Sequence, residues 1–101
     1  MHFLLLYEFV PDYLERRGPF RNEHLKLAWE SSERDEMVLG GAFADPADGA
    51  AILFRSETAA AAEQFAAADP YVRNGLVKSW RVRKWTTVVG ADAAAPVRPG
   101  A

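Results

Sequence analysis

Residues 2–10 (HFLLLYEFV) put Phe3, Leu5, Tyr7 and Phe9 on one side of an extended chain. Leu4, Leu6 and Val10 fall on the other side, interrupted by Glu8. Successive strand residues face opposite ways, so a segment apolar on both sides reads as a central strand covered on both faces. Pro11-Asp12 ends it, because proline cannot continue a hydrogen-bonded ladder. Residues 12–18 read as a loop or a short helical turn, broken at Gly18-Pro19. Pro19 suits the first turn of a helix running to about Glu36. At the helical period, Phe20, His24, Leu27, Ala28 and Ser31 share a stripe about 100° wide, which predicts that His24 faces the sheet. Arg21 lies on the adjacent flank. Trp29 faces the far side and hints at a second contact surface. The polar run 30–36 is expected in solvent.

Residues 37–43 (MVLGGAF) predict a second strand, in which Gly40-Gly41 suggests a bulge or a close backbone approach. ADPADGA, residues 44–50, is a turn, and 51–55 (AILFR) completes a hairpin. Ser56 or Thr58 caps a second helix through about Ala68, with Ala61, Ala62, Phe65 and Ala68 toward the core. Pro70 ends that helix. Residues 70–74 form one further turn, stopped by Gly75. Residues 76–89 predict a long last strand carrying Trp80, Trp85, Lys78, Arg81, Arg83 and Lys84. From Gly90 on there is neither periodicity nor core material. The expected organisation is therefore one domain over 1–90 and a disordered tail over 91–101.

The order β-α-β-β-α-β, with right-handed crossovers, predicts a ferredoxin-like α+β sandwich. Both helices would cover one face of a four-stranded antiparallel sheet. The other face would be bare yet partly apolar, and a homodimer packed through the open sheet faces would cover it. The two helices are expected to run roughly parallel. On that expectation His24, near the start of one, and Asp69, at the end of the other, need not meet within a subunit.

Composition narrows the function classes. The 101 residues are 50% hydrophobic and 12% aromatic, ample for a single core. Fourteen acids against 12 bases give a net charge of −2, which offers no reason to expect a nucleic-acid partner. The absence of cysteine excludes disulfide and thiolate chemistry. Two distant histidines argue against a dedicated metal site. No apolar run has the length of a membrane span, and Phe3 to Leu6 is too short for a secretory leader. A cytoplasmic protein without membrane contact is the expectation.

His24 is the first chemical candidate, since imidazole gives or takes a proton near neutral pH. The alternative is a histidine at the core edge bonded to a backbone carbonyl. Asp69 can orient an imidazole, or can be a helix cap before Pro70. Asp12, in the loop before the first helix, is a rival carboxylate. Arg17 and Arg21 can hold a substrate carboxylate or phenolate through paired donors, or pair with Asp12, Glu15 or Glu23. The bases and tryptophans of the last strand fit an ordinary solvated edge better than a base-stacking surface. The sequence has no glycine-rich phosphate loop, zinc-protease helix or nucleophile elbow.

Two runs carry a family resemblance. Leu14-Glu15-Arg16-Arg17, Arg21 and His24-Leu25 precede a strand with Gly40-Gly41. Ala67-Ala68-Asp69-Pro70-Tyr71-Val72 and Gly75 precede a strand with Arg83-Lys84-Trp85. Over about residues 3–90 this resembles the YciI-like, or YCII-related, family. The resemblance implies a ferredoxin-like fold of the dimeric α+β barrel group. It also implies a His/Asp-centred site mapping to His24 and Asp69. Beside that pair, the expected substrate-binding residues are Arg17, Arg21, Asp12 and Tyr71. Most members have no assigned reaction. A few relatives are dehydrochlorinase-like enzymes acting on chlorinated hydroxyaromatic molecules without a redox cofactor. The loop Phe9-Val10-Pro11-Asp12 departs from the family's usual Asp-Lys-Pro type, so that aspartate's role is absent or passes to Asp12. The short hairpin after the second strand also departs from the family and alters the expected pocket rim.

The expectation is a small cofactor-free enzyme using general acid–base catalysis, of elimination or hydrolysis type, on a small anionic or hydroxyaromatic molecule. The alternatives are a non-catalytic ligand-binding or accessory dimer, and a purely structural dimer in which His24 and Asp69 are core and cap residues.

Overall fold

Four strands and four helical segments make up the computed structural model, which describes residues 1–100. They are β1 (His2–Phe9), α1 (Tyr13–Arg16), α2 (Gly18–Glu33), β2 (Met37–Ala42), β3 (Gly49–Arg55), α3 (Ala60–Ala68), α4 (Pro70–Arg73) and β4 (Val77–Trp85). The sheet order is β2-β3-β1-β4, with every neighbouring pair antiparallel. This is the ferredoxin-like α+β arrangement expected from the pattern. β1 is central, and Leu5 lies between Ile52 of β3 and Val82 of β4.

The helix-covered face holds the core. Leu5, Tyr7, Phe9, Ile52 and Phe54 of the sheet are buried against Ala62, Phe65 and Ala66 of α3 and Tyr71 of α4. On α2, Phe20, His24, Leu27 and Ala28 are half-buried and Ser31 is fully buried, matching the stripe read from the sequence. α2 stops at Glu33, short of the expected Glu36, because Asp35 adopts a left-handed backbone with φ 60°. On α3 the buried set is Ala62, Phe65 and Ala66, spaced i, i+3, i+4, and Ala68 falls outside it on the exposed side. The N-cap of α3 is Ala59, which has no side-chain cap bond, so neither expected residue takes that position; Thr58 lies one residue earlier, where its Oγ1 accepts from Ala60 N.

The β2 irregularity lies between Met37 and Leu39, ahead of the glycine pair. The glycine that permits close approach is Gly49, where a Cβ would collide with the Tyr7 carbonyl oxygen. β4 ends at Trp85. The following segment forms no regular element, although Ala95 N donates to Thr87 O at 3.0 Å and Val97 N to Val88 O at 2.9 Å.

On the opposite sheet face Leu4 neighbours Leu53 and Leu6 neighbours Ala51, with Arg83 and Arg81 beside them on β4. Among the described residues no helix is long and apolar enough to cross a membrane.

Candidate active site

The site begins with a local choice in the backbone. Asp69 separates α3 from α4 in an extended conformation, φ −66° and ψ 122°, and Pro70 occupies the first position of α4. Its Oδ1 accepts from Tyr71 N at 3.0 Å, the expected cap. The same Oδ1 accepts from His24 Nδ1 at 2.9 Å, and Oδ2 accepts from the Tyr7 hydroxyl at 2.7 Å. Cap and histidine partner are therefore one residue, and it is fully buried.

His24 and Asp69 meet within one chain, and the expectation of roughly parallel helices is overturned. α2 follows β1 and α3 follows β3, and these strands are antiparallel. The returning helices consequently run in opposite directions, bringing the start of α2 and the end of α3 to the same end of the sheet.

The His24 ring is 4.0 Å from the Tyr71 ring and nearly parallel to it, with Phe65 edge-on at 6.2 Å. Its side chain keeps 18% of its exposure. A carboxylate only accepts, so Nδ1 carries the hydrogen in the neutral ring and Nε2 keeps its lone pair. Burial first, then the charge of Asp69 and the bond to it, push the Tyr7 hydroxyl far above its ordinary value. That phenol stays a donor. The Tyr71 hydroxyl is pushed up to about 12 by burial and then by Tyr13, against a downward pull from Arg21 and Arg17.

These groups line a cavity of about 410 Å³ between α2, α4 and the sheet. His24, Tyr7, Tyr13, Tyr71, Arg17 and Arg21 contribute to one part of its wall. Trp29, Leu25, Val38, Leu39, Gly40 and Gly41 contribute to another. Trp29 is 66% exposed and Leu39 73%. The Arg17 guanidinium lies 5.6 Å over the Tyr13 ring. Among the described residues neither Arg17 nor Arg21 reaches a carboxylate at ion-pair distance. Asp12 does not join the site. It is exposed, 3.8 Å from Arg16, and absent from the cavity wall. Among the described residues no three His, Cys, Asp or Glu side chains cluster as metal ligands.

The sequence reading missed Tyr7 and Tyr13 as site residues. Tyr7 had a legible signal: a phenol inside an otherwise hydrocarbon strand needs a buried partner. Tyr13, stacked on Phe9 at 3.6 Å, had none.

The YCII-related domain model matches residues 1–86, a span that holds the whole sheet and all of these side chains. The chain belongs to the YCII-related family. No curated protein sequence matches this family member. Among solved structures, it is similar to the 5-chloro-2-hydroxyhydroquinone dehydrochlorinase TftG of Burkholderia phenoliruptrix AC1100, in complex with 2,5-dihydroxybenzoquinone. The TM-score is 0.72 at 20% identity, over 86% of this chain and 95% of that one, a likeness that bears on the fold.

Proposed function

We propose that this family member is a small enzyme in which His24 and Asp69 carry out general acid–base chemistry on a small anionic, hydroxyaromatic molecule. The observation that carries the reading is the buried carboxylate bonded to a histidine whose other nitrogen has no partner among the described residues, beside an aromatic cavity edged by Arg17 and Arg21, which meet no carboxylate among those residues. His24 Nε2 takes a proton from the ligand, and the resulting imidazolium is stabilised by Asp69. Arg17 and Arg21 hold the ligand's acidic oxygens, and Tyr71 forms part of the same wall. Elimination fits these parts. The bond pair left by the removed proton moves into the carbon frame, the C–Cl bond breaks, and chloride departs with that bond's electrons. The net loss is HCl, and no external oxidant enters. Hydrolysis of a small ester-like bond needs the same base. A well-placed base supplies roughly 10²–10⁴-fold.

The open sheet face is proposed as the contact of a homodimer. Its support is the apolar row Leu4, Leu6, Ala51 and Leu53 on the sheet side opposite the core. A second functional reading, a non-catalytic ligand-binding module, rests on the same cavity.

The deciding experiment compares wild type with His24→Gln. Chloride release from 5-chloro-2-hydroxyhydroquinone and calorimetric binding of 2,5-dihydroxybenzoquinone are both measured. Turnover by wild type, lost in the variant with binding retained, is the expected result. Binding without turnover in either protein rejects catalysis on this substrate and favours the binding module.

A further inference from the structure

Three donors converge on Asp69, and two have evident reasons to be there. The Tyr71 N–H needs an acceptor because it opens α4, and His24 needs an orienting partner. The Tyr7 hydroxyl has no such reason. Leu5 and Phe9 occupy the same core face of β1 as plain hydrocarbons, and the ring of a phenylalanine would pack equally well at Tyr7. The hydroxyl nevertheless points at Oδ2 of a carboxylate 62 residues away in sequence, at 2.7 Å.

Rotamer preference does not fix the plane of an aspartate carboxylate, because its last torsion is broad. A donor on Oδ1 alone leaves the group free to turn about that contact. A second donor on Oδ2, from another element, removes this freedom. Tyr71 N on one oxygen and the Tyr7 hydroxyl on the other hold the plane, and Oδ1 then lies 2.9 Å from His24 Nδ1.

We propose that Tyr7 is a positioning residue for the His24–Asp69 pair: its hydroxyl locks the carboxylate so that His24 is held as the Nδ1–H tautomer with Nε2 available to a ligand. This rests on the reading of His24 as the site's base. The far-raised position of the Tyr7 hydroxyl keeps it a donor throughout the working range of a histidine. It therefore positions the carboxylate without itself exchanging a proton. With the lock removed, the carboxylate turns, the Nδ1 bond weakens and the second tautomer, with hydrogen on Nε2, gains population. That tautomer cannot accept a proton from a ligand in the cavity.

The test is the tautomer of His24, read from its two ring nitrogens by long-range proton–nitrogen NMR on the neutral ring. In wild type the expected pattern is a protonated-type Nδ1 and a bare-type Nε2. In Tyr7→Phe the two resonances should move toward each other as the tautomers mix. A purely structural Tyr7 would lower stability and leave this pattern unchanged, and an identical pattern in a folded Tyr7→Phe protein overturns the proposal. Should Tyr7→Phe not fold, wild type still decides. A Tyr7 hydroxyl proton protected from exchange, with cross-relaxation to the His24 ring, is expected, and its absence overturns the proposal. Activity on 5-chloro-2-hydroxyhydroquinone separates this from the functional reading. Turnover in wild type should fall about tenfold in kcat at nearly unchanged KM in Tyr7→Phe. A wild type that turns over nothing rejects the catalytic reading, while the NMR result continues to judge the lock.

Discussion

Replacing Asp69 by asparagine or serine separates a helix cap from a carboxylate that organises a site. As caps, Asp, Asn and Ser are nearly equivalent. If Tyr71 N were the only group served, both variants would lie within about 0.5 kcal/mol of wild type. The structure implies more. Two further donors, Tyr7 and His24, end on the same fully buried carboxylate. A bond to a charged acceptor contributes about 1.5–3 kcal/mol and a neutral one about 0.5–1.5 kcal/mol. Asparagine keeps one oxygen and turns the other into a donor, which confronts the Tyr7 hydroxyl or His24 Nδ1. The expected loss is about 2–3 kcal/mol. Serine is too short to reach all three donors and strands at least one, for a loss of about 3–4 kcal/mol. Urea unfolding at neutral pH, followed by tryptophan fluorescence at one fixed protein concentration, measures both. With a slope of about 1–3 kcal/mol per molar urea, the midpoints should move by about 1 M or more. Two variants within about 0.5 kcal/mol of wild type would refute the argument and return Asp69 to a simple cap.

Three further outcomes are expected. At alkaline pH, Tyr71 is pushed up to about 12, so the native state keeps a proton that the unfolded chain loses near 10. Its contribution is whole below about pH 10 and disappears as the pH rises toward 12, with a slope of at most about 1.4 kcal/mol per pH unit. Tyr7, also held protonated, adds a slope of its own in this range, so Tyr71→Phe should reduce the total slope in urea titrations at stepped pH without abolishing it, and an unchanged slope would contradict the burial of the Tyr71 hydroxyl. Leu6→Lys with Leu53→Lys places charges on the open sheet face, and sedimentation equilibrium should show a dimeric wild type and a monomeric variant. A wild type that is monomeric at tens of micromolar rejects the proposed dimer. Arg17→Ala and Arg21→Ala should each weaken 2,5-dihydroxybenzoquinone binding roughly tenfold, about 1.4 kcal/mol. Equal affinity in the double variant would remove the arginines from the ligand contact.

Local pattern carried the fold a long way. The two-faced apolar run of β1 announced a central strand, and the β1 register places it between β3 and β4. The α2 stripe put His24 on the sheet side because a helical period converts spacing directly into direction. What failed was direction between elements. The sequence places His24 and Asp69 on separate helices, but whether those helices are parallel depends on the strands they follow. Only the β1–β3 pairing makes the two ends coincide. Tyr13 was illegible for a related reason. A tyrosine in a four-residue helical turn has no periodicity to orient it, and its place against Phe9 and Tyr71 is set by tertiary packing. Gly49 was read as part of a turn, whereas its need for a bare Cα comes from the Tyr7 carbonyl across the strand pair.

On the proposed function, stability and chemistry share one residue, and this decides where that function is best probed. Asp69 caps α4, holds Tyr7 and orients His24, so its replacement disturbs the fold and the site together. Loss of turnover in an Asp69 variant therefore carries little information about catalysis. His24 is different. Removing its imidazole leaves Asp69 with its Tyr7 and Tyr71 donors, and the remaining carboxylate is still held on both oxygens. His24→Gln should cost little stability beyond one hydrogen bond to a charged group, about 1.5–3 kcal/mol. A folded His24→Gln protein that binds ligand without converting it isolates the proton-transfer step, and no substitution at Asp69 can do so.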